Sequence, residues 1–252
     1  MKGKQDKKIA EVVAEFIVKT KYKDLPKETV DQVKHYIVDC VGCMVGAGKE
    51  PQAQALLKLV KAEGGKLNSS VFGQGFKTSA MNAALTNGTL GHIFDFDDDH
   101  REGTMHPSVA VFPAVFALGE KLKVSGKDLL RAFILGLEVM IRVGEAYLGK
   151  SYYQGFHPTG TCGIFGASAG SALILGADVK QMTYALGLAG SFAAGTLEWR
   201  TEGSWQKPLQ AGHPAMCGVL AGSLAKQDFI GARTIFEGPD GVIRAFSFKD
   251  TY

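Results

Sequence analysis

Residues 92–108 read HIFDFDDDHREGTMHPS. Asp95, Asp97, Asp98 and Asp99 fall within five positions, with His92, His100 and His106 around them. Phe94 and Phe96 are threaded between the first acids, which a purely solvated face does not require. Carboxylates and imidazoles at this density suit two chemistries: holding a divalent cation, or moving a proton.

The cation reading rests on Asp98, Asp99 and Glu102, a D-D-x-x-[DE] pattern. On a helix these carboxylates stand on one face, suited to Mg²⁺ and a diphosphate. An all-α, isoprenoid-synthase-like enzyme uses that arrangement, but it also needs a second acidic motif on a facing helix. None is visible here, and Gly103 and Pro107 argue that the helix ends near Asp97. The proton reading rests on Asp95, at the end of an apolar helix, and His106, just before Pro107. Desolvation and mutual charge set the pKa values of such a pair, making it an acid or a base. An Asp–His pair taken alone is more often structural.

Two other stretches carry reactive side chains. In Gly155-Phe-His-Pro-Thr-Gly160, His157 stands in a tight loop that enters a small-residue helix. A helix N-terminus offers free N–H groups and a positive dipole end to an anion, although His157 can equally serve as a simple cap. In Glu202-Gly-Ser-Trp-Gln-Lys207-Pro, Lys207 opens an apolar helix and can pair with a carboxylate there, or merely face solvent.

The elements that must position these residues are helical. Ile9, Val12, Val13, Phe16 and Ile17 recur at helical spacing. A second helix opens at Pro26 and runs to about Gly46, and a third covers Pro51 to Ala62. Asn68 to Gln74 is a brief strand or a loop. Helices follow over Thr78 to Phe94, over Val109 to Lys123, and from a capping box at Ser125 and Asp128 to about Leu148. Gly160 to Gly176 and Met182 to Leu197 are almost entirely small or apolar. Ser151 to Ala177 has no charged residue, yet its Pro- and Gly-rich start leaves too short a helix for a membrane span. A helix apolar all round is instead central in the fold. Neither a dinucleotide loop nor a phosphate loop is present. The fold class expected is all-α, a multi-helix bundle around a central buried layer of small-residue helices.

The composition agrees with an ordinary soluble chain. The 252 residues are 46% apolar and 21% charged, with net charge +3 and no long basic run. Nucleic-acid binding is therefore not expected. The start, MKGKQDKKIAEVV, lacks the apolar core of a signal peptide, so a cytoplasmic location is expected. Cys40, Cys43, Cys162 and Cys217 make no disulfide framework, and the Cys40–Cys43 pair reads as helix core.

In order, the motifs are the DFDD helix end, His-Pro-Ser, GFHPTGT-x-G-x-x-G-A, S-x-x-K-P-L-x-A-G and Ile235-Phe-Glu-Gly238. This order resembles the MmgE/PrpD family of 2-methylcitrate dehydratase, cis-aconitate decarboxylase and iminodisuccinate epimerase, from about residue 8 to about 246. The resemblance implies a helical domain over 1–252, ending before the α/β lid domain with which family members form their cleft. It implies a lyase or isomerase acting on a small di- or tricarboxylate, with no metal or organic cofactor, and a homodimer through the helical domain. Catalytic roles are implied for Asp95, His106, His157 and Lys207. Asp99, where the family commonly has Thr or Ser, Thr159 and His213 are expected at the substrate. Proton removal beside a carboxylate would lead to loss of water, loss of CO₂ or reprotonation. Asp97, Asp98 and Asp99 are expected to shape the loop or face solvent. A non-catalytic oligomerisation module is the alternative.

Overall fold

A computed structural model describes residues 7–247; residues 1–6 of the charged N-terminus lie outside them. The chain folds as α1 (Ile9–Lys19), α2 (Lys27–Gly46), α3 (Pro51–Glu63), β1 (Ser69–Val71), β2 (Phe76–Thr78), α4 (Ala80–Gly91), α5 (Pro107–Leu122), α6 (Gly126–Ala146), α7 (Lys150–Tyr153), α8 (Pro158–Ile174), α9 (Val179–Ala189), α10 (Trp199–Glu202), α11 (Gln206–Lys226) and α12 (Val242–Phe246). Among the described residues the only sheet is the antiparallel pair β1–β2, with Ser69 opposite Thr78. The class is all-α, as expected.

Local chemistry starts the helices. Ser79 accepts a hydrogen bond from the Asn82 N–H and opens α4, so Thr78 belongs to β2 and not to the helix. Ser125 does the same for α6 through the Asp128 N–H, and Asp178 and Gln181 cap α9 reciprocally; such caps satisfy N–H groups that the first turn leaves free. Pro51, Pro107 and Pro158 each occupy the first position of a helix, where no N–H is needed. The apolar run from Met182 does not stay helical to Leu197. It leaves α9 at Ala189, and Thr196 pairs as an isolated bridge with Phe156.

α8 is the centre. Every residue from Pro158 to Ala172 is buried, and the helix packs against α5, α6 and α11. Glycine permits that closeness: a Cβ on Gly166 would lie 2.5 Å from the Gly136 carbonyl oxygen of α6, and one on Gly136 would lie 2.9 Å from the Gly166 oxygen. Val111 and Met140 flank this contact, and Phe112, Phe133 and Phe165 are fully buried in the core, each worth about 1.5–3 kcal/mol of burial. Cys40 and Cys43 lie in the core on α2, and burial pushes the Cys43 thiol up to about 11. None of the helices described is long and apolar enough to cross a membrane.

Candidate active site

The same dipeptide builds two walls of the site. A residue before proline is driven out of the helical region. His106 and His157 both precede a proline and take extended backbone angles at the N-caps of α5 and α8. Each imidazole therefore stands at a helix entrance. The Thr159 hydroxyl oxygen accepts the His106 backbone N–H at 3.0 Å, locking the two entrances together. The third His-Pro pair, His213-Pro214, falls inside α11 and marks no helix start.

Between α4 and α5 the chain turns sharply. Asp95 sits in the left-handed region at φ 53°, which costs a non-glycine residue about 1–2 kcal/mol and which aspartate tolerates better than most. Beyond it, His100 and Met105 form a two-hydrogen-bond bridge. Met105 is buried and fills the space left by Gly144 of α6, where a Cβ would collide with it. The D-D-x-x-E segment is thus a turn and not a helix. Asp99 and Glu102 are exposed while Asp98 turns inward to accept the Ser108 hydroxyl at 2.9 Å. The one-faced carboxylate array of the Mg²⁺–diphosphate reading does not form. The aromatics also differ from expectation: Phe94 is 46% and Phe96 80% exposed.

The turn gathers the reactive groups. Lys207, in the first turn of α11, makes an ion pair with Asp95. His106 Nε2 is 3.5 Å from the same Asp95 oxygen, and its Nδ1 is 3.3 Å from Asp97. Asp97 does not face solvent. It is buried and also receives Nδ1 of His92, at 2.9 and 3.0 Å. The His92 ring lies 4.5 Å from His106 and 5.8 Å from His157 between centroids. His157 Nδ1 lies 3.0 Å from Gln210 Oε1, while the Gln210 amide donates to the Thr196 carbonyl at 3.0 Å. That orientation makes Gln210 Oε1 an acceptor, so Nδ1 carries the proton and the His157 Nε2 lone pair is free.

Charge is divided unevenly among these groups. Burial works against a charged His106, but the Asp97 hydrogen bond and charge outweigh it, and its pKa is raised. Burial lowers the pKa of His92, and Asp97 offsets this only in part. His157 is pushed down to about 3, first by burial and then by the neighbouring His92 and Lys207. Burial disfavours ionised Asp95, yet its hydrogen bond and charge pairing with Lys207 lower the pKa overall. Asp97 is likewise lowered against its burial by His106 and His92. The result is an imidazole, His106, whose proton Asp97 helps to hold, the Lys207 side chain and two imidazoles whose burial disfavours charge, gathered where the N-termini of α5, α8 and α11 meet. Helix dipoles add positive potential at that point.

Asp95, His106, His157, Lys207 and Thr159 are therefore brought together. Asp99 stays on the outer turn. His213 lies further along α11 with Nε2 3.4 Å from Cys217 Sγ, and no hydrogen bond or ion pair among the described residues joins it to the cluster. Sequence reasoning passed over His92, Asp97 and Gln210. The signal for the first two was a histidine at the end of an apolar helix, followed five residues later by an acid. His92, Asp95, Asp97 and His106 offer ligand atoms within 4.8 Å of one another, a set that could hold a metal ion. In the arrangement found, Lys207 and His106 are already paired with the two carboxylates.

The all-helical domain thus brings carboxylates, imidazoles and a lysine together at three converging helix entrances. Residues 11–252 match the MmgE/PrpD N-terminal domain, and the chain belongs to the MmgE/PrpD family. It is similar to cis-aconitate decarboxylase of Mus musculus, 32% identical over 92% of this chain and 48% of that protein. It is also similar to cis-aconitate decarboxylase of Aspergillus terreus, 30% identical over 85% of this chain and 45% of that protein. A cis-aconitate decarboxylase-like protein of Aspergillus oryzae is 27% identical over 88% and 48%. The chain spans about half the length of these curated relatives.

Proposed function

We propose that this chain carries the catalytic groups of a lyase acting on a small tricarboxylate of the cis-aconitate type, and that the reaction is decarboxylation. The observation that carries the reading is the cradle around His106. Asp97 on Nδ1 and Asp95 near Nε2 favour an imidazolium. Decarboxylation needs a proton donor and no base. In cis-aconitate the C–C bond to the methylene-borne carboxylate breaks and CO₂ leaves. The freed pair becomes a terminal double bond. The old double-bond pair moves to the carbon beside a remaining carboxylate, where His106 delivers its proton; solvent then reprotonates the imidazole. Lys207 and the helix entrances stabilise the negative charge as it develops. The names of the curated relatives support the same choice.

Dehydration and epimerisation begin instead with proton removal. The carboxylates of Asp97 and Asp95 favour the protonated form of His106, which acts as an acid, and Asp95 is engaged by Lys207. For those reactions the neutral His157 is left, and burial, which pushes its pKa down to about 3, makes it a weak base.

Titration calorimetry with cis-aconitate, citrate and 2-methylcitrate, beside an assay of CO₂ release, tests the reading. Lys207→Ala should weaken tricarboxylate binding about 100-fold, as expected for losing a charge-assisted contact. His106→Gln should bind within about threefold of the parent and lose turnover by about 100-fold or more. Failure to bind any tricarboxylate sinks the proposal. Turnover of 2-methylcitrate without CO₂ release moves it to dehydration.

A further inference from the structure

Trp199 stands against two of the groups assigned above. The Lys207 ammonium lies over its ring, 5.3 Å from the centroid, and the His157 ring meets it edge-on at 5.9 Å. Its placement is fixed from both sides. The His157 N–H donates to the Gly195 carbonyl at 2.9 Å and the Leu197 N–H to the Gly155 carbonyl at 2.7 Å. Next in the chain, Arg200 donates to the Tyr152 hydroxyl at 2.7 Å and covers that ring. The indole is therefore set beside His157 by backbone pairing on one flank and by a side-chain clamp on the other.

The indole N–H is a donor only, and it is buried without a partner among the described residues. A buried donor left without an acceptor is costly, so in native structures such groups are nearly always paired with protein, water or a bound ligand. An acceptor that belongs beside Lys207 and the positive helix entrances is an anion.

We infer that the Trp199 indole N–H is a substrate-binding donor: it hydrogen-bonds an oxygen of the same carboxylate that Lys207 holds. The inference rests on the carboxylate reading above and deepens it. One carboxylate has two oxygens, so it can accept from the ammonium and the indole together. The ring then performs two tasks, facing the ammonium with its π-surface and the substrate with its N–H. A ring without the N–H keeps the first task and loses the second.

The chain contains only two tryptophans, Trp199 and Trp205. Trp205 is 56% exposed at the entrance of α11, so Trp205→Phe leaves Trp199 as the sole indole. The test is a ¹H–¹⁵N spectrum of that variant titrated with cis-aconitate and with citrate, with the histidine ring resonances followed in parallel. The single indole N–H resonance should move downfield and saturate with the same Kd as the His106 and His157 shifts. In the otherwise native chain, Trp199→Phe should raise that Kd about tenfold, and a melting curve on the same variant separates lost binding from lost folding. If the histidine resonances shift on titration while the indole resonance stays still, the inference is overturned and the carboxylate reading stands. If no resonance moves at any concentration, both fall. A Trp199→Phe variant that melts like the parent and binds with unchanged Kd also overturns the inference alone.

Discussion

Both carboxylate oxygens of Asp97 lie within hydrogen-bond reach of His92 Nδ1, at 2.9 and 3.0 Å, in the interior of the protein. The same carboxylate faces Nδ1 of His106 at 3.3 Å. One buried anion thus serves two imidazoles and can compensate the charge of only one. Burial holds the pKa of the more deeply buried His92 down, while Asp97 raises that of His106. The acid of the site is set by this sharing.

Asp97→Asn removes the anion and keeps the shape. His106 should then titrate at lower pH, followed through its ring proton shifts. The folded pKa of His106 lies above its ordinary value of 6.5. Its protonation therefore adds stability that is complete below about 6.5 and is lost as pH rises through the folded pKa. In the variant burial is left largely unopposed, so that stabilisation at low pH should be lost or reversed in sign. An unchanged His106 titration would remove Asp97 from this role.

Asp98 behaves in the opposite sense to Asp97. Burial pushes its carboxyl up to about 6; the Ser108 hydrogen bond opposes this and the Asp97 charge adds to it. The folded pKa exceeds the ordinary 3.8. Stability from this group is full below about 3.8 and declines as pH rises to about 6, reaching a cost of roughly 2–3 kcal/mol at neutral pH. Asp98→Asn should keep the Ser108 contact and remove that slope. Urea midpoints at pH 4 and pH 7 should differ less in the variant, and the pH 7 midpoint should rise.

Gly166→Ala tests the central contact. The new methyl meets the Gly136 carbonyl oxygen at 2.5 Å and Met140 Cβ at 2.9 Å. Backbone cannot yield as a flexible side-chain end can, so overpacking should cost about 1–3 kcal/mol or more. The helix-propensity gain of about 1 kcal/mol works the other way. A lower urea midpoint is the expected result; an equal or higher one would mean that α6 and α8 can separate freely.

Much of the architecture is written in short windows of the chain. Ser79, Ser125 and the helix-initial prolines mark starts, because a cap or a proline acts on its own first turn. The charge-free run after Ser151 marks α8 as central, since a helix without a polar face has no side to show water. His106, His157 and Lys207 are legible as helix-entrance residues for the same local reason. The ends of elements are less legible. Thr78 is read as a helix start, yet pairing with Ser69 across the β1–β2 hairpin claims it for a strand.

The four clustered aspartates show what the sequence by itself could not decide. It determined that carboxylates and imidazoles would be dense at the end of α4, and that His106, His157 and Lys207 would each stand at a helix entrance. Only the tertiary structure decided that Asp97 is buried between two histidines, that Asp98 turns to Ser108, and that Asp99 stays in water. Neighbours of one residue type share the same local propensities. What separates them here is the left-handed turn at Asp95 and the seating of Met105 against Gly144, some forty residues on in the chain. Burial of a charge depends on which partners converge on it from elsewhere, and that convergence exists only once α4, α5, α8 and α11 have packed.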